Sequence, residues 1–264
     1  MVSVIISLYK HLDSLSVVLE GLNLQSFKDF EVIAAEDDNA KETLLFLEAA
    51  RKRYTFPIKH VSQEDKGFRK CRILNSAIRQ AAGEIVVFLD GDCIPHRHLI
   101  KNYNRLVKEG TICCGRRVML SPSVSQAVKS SASMRCLRLR NLIFSKSTKV
   151  KHAIYVPFIA PIKNRYWILG CNWGVAKKDL LAVNGFDMDY EIIGVGEDHD
   201  IEWRLRGMGI RIRKVTQCCI TYHLYHKERY NGEIVAPNMK MLRRKQNENQ
   251  IFCPLGINRL EEGS

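Results

Sequence analysis

Two acidic groups follow predicted strands, at positions where α/β proteins commonly bind ligands. Glu36-Asp37-Asp38 comes directly after the apolar run Phe30–Ala35, and Asp90-Gly91-Asp92 comes directly after Glu84–Leu89. Ligands of open α/β sheets bind beyond the carboxyl ends of the strands. Two aspartates one residue apart can hold Mg²⁺ or Mn²⁺ and leave coordination positions for phosphate oxygens and water. The alternative for Asp90-Gly91-Asp92 is an ordinary Asp-Gly turn, but its place after an apolar strand favours metal binding.

A third acidic group, Glu197-Asp198-His199-Asp200, lies where a helix is predicted to begin. Exposed backbone N–H groups and the positive end of the helix dipole favour an ionised carboxylate at such a place. An ionised Asp198 could therefore act as a general base. The alternative is that these acids only cap the helix, which is a common use of aspartate and glutamate.

Two histidines in the second half of the chain could complete a metal site. His223 follows a run that resembles a strand, and as a neutral imidazole it could bind the same ion as Asp92. His226 is a weaker candidate for the same role. The alternative is a structural or exposed histidine, which is the more common use of a single such residue.

The elements that must position these groups alternate between strands and helices over the first 120 residues. Strands are predicted at Val2–Leu8, Phe30–Ala35, Ile58–Val61 and Glu84–Leu89. Helices are predicted to begin near Leu15 with Asp13 or Ser14 as the cap, to run through Thr43–Arg53 and Arg69–Ala82, and to open at Pro95. Later helices are predicted at Lys177–Val183 and from Glu197 to Arg206. The alternation indicates an α/β fold with a mostly parallel sheet flanked by helices.

The charge of the chain limits the class of its partners. The 264 residues carry a net charge of +13, with 46% hydrophobic and 26% charged residues. Such a field attracts nucleic acid, anionic lipid or phosphorylated small molecules. No apolar run is long enough to cross a bilayer, and residues 1–9 have the character of a strand and not of a signal peptide. Nine cysteines without zinc-type spacing predict reduced, mostly buried thiols in a cytoplasmic protein.

Taken together, the motifs of this chain resemble those of one enzyme family. Their order and spacing are similar to those of family 2 glycosyltransferases of the GT-A fold, with a C-terminal part similar to galactosyltransferases and chondroitin-polymerase-type enzymes. In the first half the motifs are Val4-Ile5-Ile6-Ser7-Leu8-Tyr9, Phe30-Glu31-Val32-Ile33, Gly67-Phe68-Arg69-Lys70-Cys71-Arg72-Ile73-Leu74-Asn75 and Phe88-Leu89-Asp90-Gly91-Asp92. In the second half they are Gly170-Cys171-Asn172-Trp173-Gly174, Gly185-Phe186-Asp187, Gly194-Val195-Gly196-Glu197-Asp198 and His223.

The resemblance implies a role for each matching residue. Asp37 with Glu36 would hydrogen-bond the base, and Asp90 would contact the ribose or the sugar. Asp92 and His223 would bind Mn²⁺ or Mg²⁺, Asp198 would be the catalytic base, and Glu197 would contact the donor sugar or the acceptor. The residues that the resemblance implies for donor binding are Ser7, Tyr9, Glu36, Asp37, Arg69, Arg72, Asp90, Asn172 and Trp173.

The resemblance also implies the reaction and its partners. An inverting enzyme would transfer a hexose or an N-acetylhexosamine from a nucleotide sugar, most simply a UDP-sugar, to a glycan or lipid-linked acceptor. The setting implied is bacterial surface polysaccharide synthesis. The chain departs from the family pattern at Glu36, where an aspartate is common, and at Ile193 and Val195, where an aromatic residue and a glycine are common. The loop that contains Ile193 and Val195 shapes the sugar pocket in the family, so the resemblance does not determine the identity of the donor sugar.

The chain divides into four segments with different expected roles. Residues 1–120 would bind the nucleotide sugar, residues 166–230 would complete the catalytic half, and residues 231–264 form a basic tail. Residues 121–165 form a basic insertion, because the stretch from 129 to 165 holds nine lysines and arginines and no acidic residue. Interleaved leucines, Ile143 and Phe144 suit an amphipathic segment on an anionic bilayer at the inner face of the cell membrane. The alternatives are a mobile loop that closes over the donor and a groove for an acidic glycan.

Two rival functions are compatible with part of the sequence. A nucleotidyltransferase would also combine an α/β sheet with paired aspartates and a metal, but the first turn, Leu8-Tyr9-Lys10-His11, lacks a phosphate-binding glycine loop. The net charge of +13 would suit a nucleic-acid-binding protein, but no recognised nucleic-acid-binding motif is present.

Overall fold

The fold contains a large and a small β-sheet with helices packed around them. The computed structural model describes residues 1–131, 133–163, 166–227 and 231–260. The larger sheet has seven strands and the smaller sheet has three. Residues at the edges of both sheets contribute to the candidate site.

The first half alternates strands and helices as predicted up to residue 90, and beyond that point two pairs of strands follow one another without a helix between them. The strands are β1 (Val2–Leu8), β2 (Phe30–Glu36), β3 (Ile58–Ser62), β4 (Ile85–Asp90), β5 (Cys93–Pro95), β6 (Thr111–Cys114) and β7 (Arg116–Met119). The helices are α1 (Leu12–Asn23), α2 (Lys41–Arg53), α3 (Lys70–Gln80), α4 (Leu99–Leu106) and α5 (Pro122–Ser131). β1 is almost wholly buried and β2 wholly so, which explains their continuous apolar and β-branched composition.

The second half contains shorter elements and a long C-terminal helix. They are α6 (Leu139–Ile143), β8 (Asn172–Ala176), α7 (Lys177–Ala182), α8 (Glu197–Gly207), β9 (Arg211–Lys214), β10 (Ile220–His223) and α9 (Gly232–Asn247). Short 3₁₀ helices occupy residues 134–137, 150–153 and 257–259. The predicted basic tail at residues 231–264 contains α9 and the last of these 3₁₀ helices.

The strand order places the predicted acidic groups at one edge of the large sheet. The order is β3-β2-β1-β4-β8-β6-β9, and β3, β2, β1 and β4 are parallel to one another. β8 is antiparallel to both of its neighbours. The sheet is therefore mixed and mostly parallel, as predicted, and the carboxyl ends of β1, β2 and β4 meet at one edge. The small sheet has the order β5-β10-β7 and adjoins that edge through the turn between β4 and β5.

Apolar clusters on the two faces of the large sheet hold the helices in place. The apolar face of α1 is buried, as Leu15, Val18, Leu19 and Leu22 are each at most 1% exposed. On the opposite face, α3 buries Leu74, Ala77 and Ile78 in a cluster with Phe88 and Trp173. In both helices the apolar residues recur every three to four positions, which is the spacing that places them on one side of a helix.

Two local predictions are wrong. Pro95 does not open a helix but ends β5, where it lies opposite Thr221 of β10, and α4 begins four residues later. Asp13 and Ser14 do not cap α1, because that helix begins at Leu12 after His11, which adopts a left-handed backbone conformation. In both cases a local preference of the residue type was overridden by the pairing and packing of the surrounding chain.

Candidate active site

Ser7 and Asp90 meet at the carboxyl edge of the large sheet. Ser7 of β1 is opposite Asp90 of β4, and its hydroxyl donates to the Oδ1 of Asp90 over 2.7 Å. The Nζ of Lys70, at the start of α3, lies 3.4 Å from the same oxygen. Asp90 is therefore fixed by two donors from separate elements. It lies at the sheet edge where the resemblance implied a contact with the ribose or the sugar.

Asp92, His223 and His226 converge beside this edge. β5 and β10 are antiparallel with Cys93 opposite His223, and the amide of Leu224 donates to the carbonyl of Asp92. This pairing brings the Oδ2 of Asp92 to 3.5 Å from the Nε2 of His223 and to 3.2 Å from the Nε2 of His226. One carboxylate and two imidazoles thus lie within reach of a single cation.

The polar atoms of this cluster fit a bound cation. Within the part of the chain that the structure describes, nothing hydrogen-bonds the buried Oδ1 of Asp92 or the buried Nδ1 of His223. Burial lowers the pKa of His223, so its imidazole is neutral near pH 7 and keeps a lone pair for a metal. Burial opposes ionisation of Asp92, but the hydrogen bond from His226 lowers the pKa of its carboxyl below the usual value. Ionised carboxylate and neutral imidazole are the forms that bind divalent metals.

Glu197 and Asp198 line a small cavity with Ser7, Lys70 and Trp173. The two acids are the first residues of α8, as the sequence predicted. The carboxylate of Asp198 accepts hydrogen bonds from the amides of His199 over 2.9 Å and Gly170 over 3.4 Å. Its side chain is 21% exposed, whereas that of Glu197 is 6% exposed. Of the two carboxylates, Asp198 is therefore the more accessible to an incoming molecule.

Lys70 and the surrounding carboxylates perturb one another. The Nζ of Lys70 lies 3.7 Å from the Oε1 of Glu197. Burial raises the pKa of Glu197 to about 7, an effect that Lys70 opposes and the charge of Asp198 reinforces. Burial would lower the pKa of Lys70, but Asp90, Glu197 and Asp198 together raise it above its usual value. The ammonium group is therefore charged at every physiological pH and holds the acids of the cavity together.

A second polar group contains Glu36 and Asp37, the residues predicted to bind the base. The carboxylate of Asp37 accepts hydrogen bonds from the side chain of Gln63 over 2.6 Å and from the amide of Arg69 over 2.7 Å. Glu36 is fully buried and lies 2.8 Å from the Nε2 of His60. Among the described residues, the Oε1 of Gln63 and the Nε of Arg69 are buried without a hydrogen-bond partner. These atoms could bind the edge of a base.

Three further residues that were predicted to bind the donor lie in different surroundings. Tyr9 is 42% exposed and donates to Asp65 over 3.0 Å. Arg72 is half-buried on α3. Trp173 is fully buried, stacks on Phe88 and lines the small cavity. Tyr9 and Arg72 are thus partly accessible to a ligand, whereas Trp173 can act only through the shape of the cavity wall.

The side chain of Asn172 is fully engaged within the protein. It is fully buried, its amide nitrogen donates to the carbonyls of Arg116 and Cys219, and its oxygen accepts from the hydroxyl of Tyr103. These bonds join β8 to the small sheet. A direct contact between Asn172 and a donor stays a prediction, while its observed bonds hold together the two sheets that carry the site.

The site contains residues that the sequence analysis did not single out. Lys70 belongs to a motif of the resemblance but received no role, although it lies one helical turn before Leu74 on the apolar face of α3, an unusual place for a lysine. Arg117 of β7 lies 3.4 Å from the Sγ of Cys171, and its buried Nε has no partner within the described part of the chain. No sequence signal identified Arg117, because the pairing of β7 with β10 is what brings it near His223.

The fold and the site together define the class of this protein, a glycosyltransferase with the GT-A fold. The chain belongs to glycosyl transferase family 2, whose family model matches residues 3–166, more than half of the chain. A second model, the N-terminal domain of galactosyltransferase, matches residues 159–227. The two matches confirm the predicted resemblance.

Relatives with known activities are similar to parts of this chain. Over 109 residues it is 28% identical to the poly(ribitol-phosphate) beta-N-acetylglucosaminyltransferase TarS of Staphylococcus aureus. The match covers 40% of this chain and only 19% of that protein. The relative is thus about five times as long as the matched region.

Solved structures share the fold over most of the chain. The mannosyltransferase PcManGT from Pyrobaculum calidifontis, in complex with GDP-Man and Mn²⁺, aligns with a TM-score of 0.64 at 18% identity, covering 94% of this chain and 64% of that one. Staphylococcus aureus TarS aligns with a TM-score of 0.58 at 16% identity, covering 92% and 39%. GalNAc-T7 with UDP, GalNAc and Mn²⁺ aligns with a TM-score of 0.60 at 12% identity, covering 88% and 44%. At these identities the likeness establishes the fold.

The helices bear on the predicted relation to membranes. Within residues 1–131, 133–163, 166–227 and 231–260, none of the helices is both long and apolar enough to span a bilayer.

Proposed function

We propose that this protein is an inverting, metal-dependent glycosyltransferase that transfers a hexose or an N-acetylhexosamine from a UDP-sugar to a hydroxyl group. The observation that carries the proposal is the arrangement of two groups at one sheet edge. The cluster of Asp92, His223 and His226 suits a cation, and Asp198 lines a neighbouring cavity with Lys70. A nucleotide sugar needs both groups, because its diphosphate is anionic and its acceptor must lose a proton.

The nucleoside end of the donor would bind beside Asp37. The carboxylate of Asp37 is held by Gln63 and by the amide of Arg69, which fixes its direction. The Oε1 of Gln63 adds an acceptor for the N–H of a base. The exposed Tyr9 and the half-buried Arg72 are compatible with contacts to the base and the phosphates.

The diphosphate would bind between the two sheets. A divalent cation held by Asp92, His223 and His226 would neutralise the charge of the departing nucleoside diphosphate. Lys70 and Arg117 add fixed positive charge, although burial would lower the pKa of each. Asp90 and Glu197 raise the pKa of Lys70 above its usual value. Cys171, Cys93 and Asp90 do the same for the pKa of Arg117. The two imidazoles favour Mn²⁺ over Mg²⁺, since Mg²⁺ prefers an all-oxygen shell. PcManGT and GalNAc-T7 were both solved with Mn²⁺.

The transfer would proceed as a single displacement. Asp198 accepts the proton of the acceptor hydroxyl while the hydroxyl oxygen forms a bond to the anomeric carbon. The bond between that carbon and the phosphate oxygen breaks on the opposite face, and its electron pair leaves with UDP. Attack and departure on opposite faces invert the anomeric centre. Glu197, bound to Lys70, would orient the donor sugar or the acceptor.

The charge of the chain and one relative point to a class of acceptor. We take the acceptor to be a glycan or a lipid-linked precursor of a bacterial surface polysaccharide, used at the cytoplasmic face of the cell membrane. The TarS relative acts, by its name, on poly(ribitol-phosphate). The net charge of +13 would favour an acceptor that carries phosphate or lies at an anionic surface.

A donor screen tests the proposal directly. The protein is incubated with a panel of UDP-sugars and GDP-sugars, with Mn²⁺ or with a chelator, and release of the nucleoside diphosphate is measured. We expect Mn²⁺-dependent release from one UDP-hexose or UDP-N-acetylhexosamine. Release from GDP-sugars alone would refute the choice of nucleotide. Absence of release from every donor, together with no donor binding in calorimetry, would refute the proposed function.

A further inference from the structure

The basic segment presents apolar side chains to solvent. Leu142 of α6 packs into the core and is fully buried, whereas the neighbouring Ile143 is 58% exposed and Phe144 is 90% exposed. Leu139, one turn earlier on α6, is 38% exposed. We call Leu139, Ile143 and Phe144 the apolar tip. Single exposed apolar residues are common, but a consecutive isoleucine and phenylalanine at the end of a short helix form a distinct surface feature.

The apolar tip belongs to a segment that is rich in positive charge. The sequence has no acidic residue between Glu109 and Asp179. The exposed lysines and arginines nearest in sequence to the tip are Arg135, Arg138, Arg140, Lys146, Lys149 and Lys151. Arg165, the last basic residue of the segment, lies outside the described residues. An apolar tip among lysines and arginines has the composition of a surface that enters the headgroup region of an anionic bilayer.

The segment is folded onto the protein, which keeps the tip in place. Leu137 and Leu142 are buried in the apolar core, and Lys129 of α5 forms an ion pair of 2.7 Å with Asp13. Because these inner residues anchor the segment, the outward position of Phe144 follows from the packing and is not a property of a loose loop. A fixed tip loses little conformational entropy when it enters a bilayer.

The tip is connected to the sheet that carries the candidate metal cluster. Thr148 forms a β-bridge with Met119 at the end of β7, and His152 hydrogen-bonds the carbonyl of Arg117 over 3.1 Å. β7 pairs with β10, which ends at His223. Thr148 follows Phe144 by four positions, a span of at most about 14 Å. A bilayer bound at the tip would therefore lie close to the small sheet.

We infer that the apolar tip and its basic surroundings are a membrane-binding surface for anionic phospholipid bilayers. Charge complementarity selects an anionic surface, and the exposed Ile143 and Phe144 select a bilayer over a soluble acidic glycan, which offers no apolar interior. The inference goes beyond the proposed sugar transfer and does not depend on it, because bilayer binding needs neither donor nor acceptor. It would supply the protein with access to lipid-linked molecules.

Vesicle flotation tests the inference. The full chain is mixed with phosphatidylcholine vesicles that contain or lack phosphatidylglycerol, at low salt and at about 0.15 M salt. We expect flotation only with phosphatidylglycerol. The double variant Ile143→Ser/Phe144→Ser should bind at least about tenfold more weakly, because two apolar side chains no longer enter the interface. Replacing Lys146, Lys149 and Lys151 by glutamine should weaken binding about fivefold for each charge removed.

Matched measurements separate this inference from its alternatives. Leu45→Ser removes an apolar residue that is 54% exposed on α2 and should leave flotation unchanged. Unchanged flotation of Ile143→Ser/Phe144→Ser, or no flotation of the wild type at low salt, would overturn the inference. Binding to heparin that falls by the same factor in that variant would favour an acidic glycan. A changed KM for the donor in solution would favour a closing lid. Absence of donor hydrolysis in the wild type would contradict the proposed sugar transfer and leave the inference of membrane binding intact.

Discussion

The ammonium group of Lys70 lies 3.7 Å from the carboxylate of Glu197, although the two residues begin helices that are far apart in the sequence. Lys70 also lies 3.4 Å from Asp90. This lysine thus links the acid at the sheet edge to the acid beside the proposed base. Both carboxylates would be close to a bound sugar, so the contact couples donor binding to the geometry of α8.

Replacing Lys70 is expected to disrupt this coupling. Lys70→Met leaves buried Glu197 without its cation and should lower kcat by about a hundredfold or more, since fixed charges are worth several kcal/mol in such sites. Removing the cation should also raise the pKa of Glu197 further. Steady-state kinetics as a function of pH measures both effects. Lys70→Arg should restore part of the rate, and full activity of Lys70→Met would contradict the assignment.

The pH dependence of activity should reflect Glu197. Burial raises its pKa from 4.5 to about 7, so the carboxylate that pairs with Lys70 exists mainly above that pH. We expect kcat to fall as the pH decreases through about 7. In Glu197→Gln the maximal rate should be lower and this inflection should be absent. An unchanged pH profile in Glu197→Gln would show that another group titrates.

The same shift predicts how stability depends on pH. Between pH 4.5 and about 7 the folded protein retains a proton on Glu197 that the unfolded chain releases. The contribution of this group to the free energy of unfolding is therefore complete below pH 4.5 and is lost as the pH rises through about 7. The free energy of unfolding, measured with urea, should decrease between pH 5 and pH 8. This decrease should be smaller in Glu197→Gln than in the wild type by about 1–3 kcal/mol. An equal loss in both proteins would contradict the shift.

Asp198→Asn tests the proposed base. The amide preserves the shape of the side chain but cannot accept the proton of the acceptor, so sugar transfer should fall by a factor of about 10²–10⁴. Donor binding, measured by calorimetry in the presence of Mn²⁺, should remain close to that of the wild type. Turnover at the wild-type rate would refute the role of Asp198.

Metal binding should depend on one carboxylate and two imidazoles. Asp92→Ala, His223→Gln and His226→Gln should each weaken Mn²⁺-dependent donor binding, with the largest loss for Asp92→Ala because it removes the only charged ligand of the three. Mn²⁺ should support more activity than Mg²⁺. His98→Gln, which changes a histidine that bonds Ser26 away from the cluster, serves as the control. Unaltered metal dependence of Asp92→Ala would exclude this site.

The C-terminal helix should influence transfer through the loop before α8. The side chain of Asn238 on α9 donates to the carbonyls of Ile192 and Val195 over 2.9 and 3.2 Å. Gly196 has a φ of +147°, and a Cβ there would lie 2.8 Å from the Cβ of Asn238. We expect Asn238→Ala to lower kcat more than it changes KM for the donor, because the loop positions Glu197. An exposed α9 substitution, Lys240→Gln, should have little effect, and equal rates for both variants would argue against this positioning role.

The sequence predicted the large-sheet elements well because their signals are local. Continuous apolar runs marked β1, β2 and β4, and helical periodicity marked the buried faces of α1 and α3. The rule that ligands bind beyond the carboxyl ends of strands then placed Asp37, Asp90 and Asp92 at one edge. The short β5 and the left-handed start of α1 escaped prediction, because neither is specified by the residues within a few positions of it.

The amino-acid sequence by itself determined the family, the mostly parallel sheet and the residue types available at its edge, since these follow from patterns over a few residues and from the order of motifs. Only the tertiary structure decided which side chains meet. The antiparallel pairing of β5 with β10 set His223 and His226 beside Asp92, and the packing of α3 near α8 set Lys70 beside Glu197. The tertiary structure also buried the side chain of Asn172 and packed α9 against the loop at Gly196. Such contacts depend on the register and docking of distant segments, which are set by the packing of the whole core and not by local propensity.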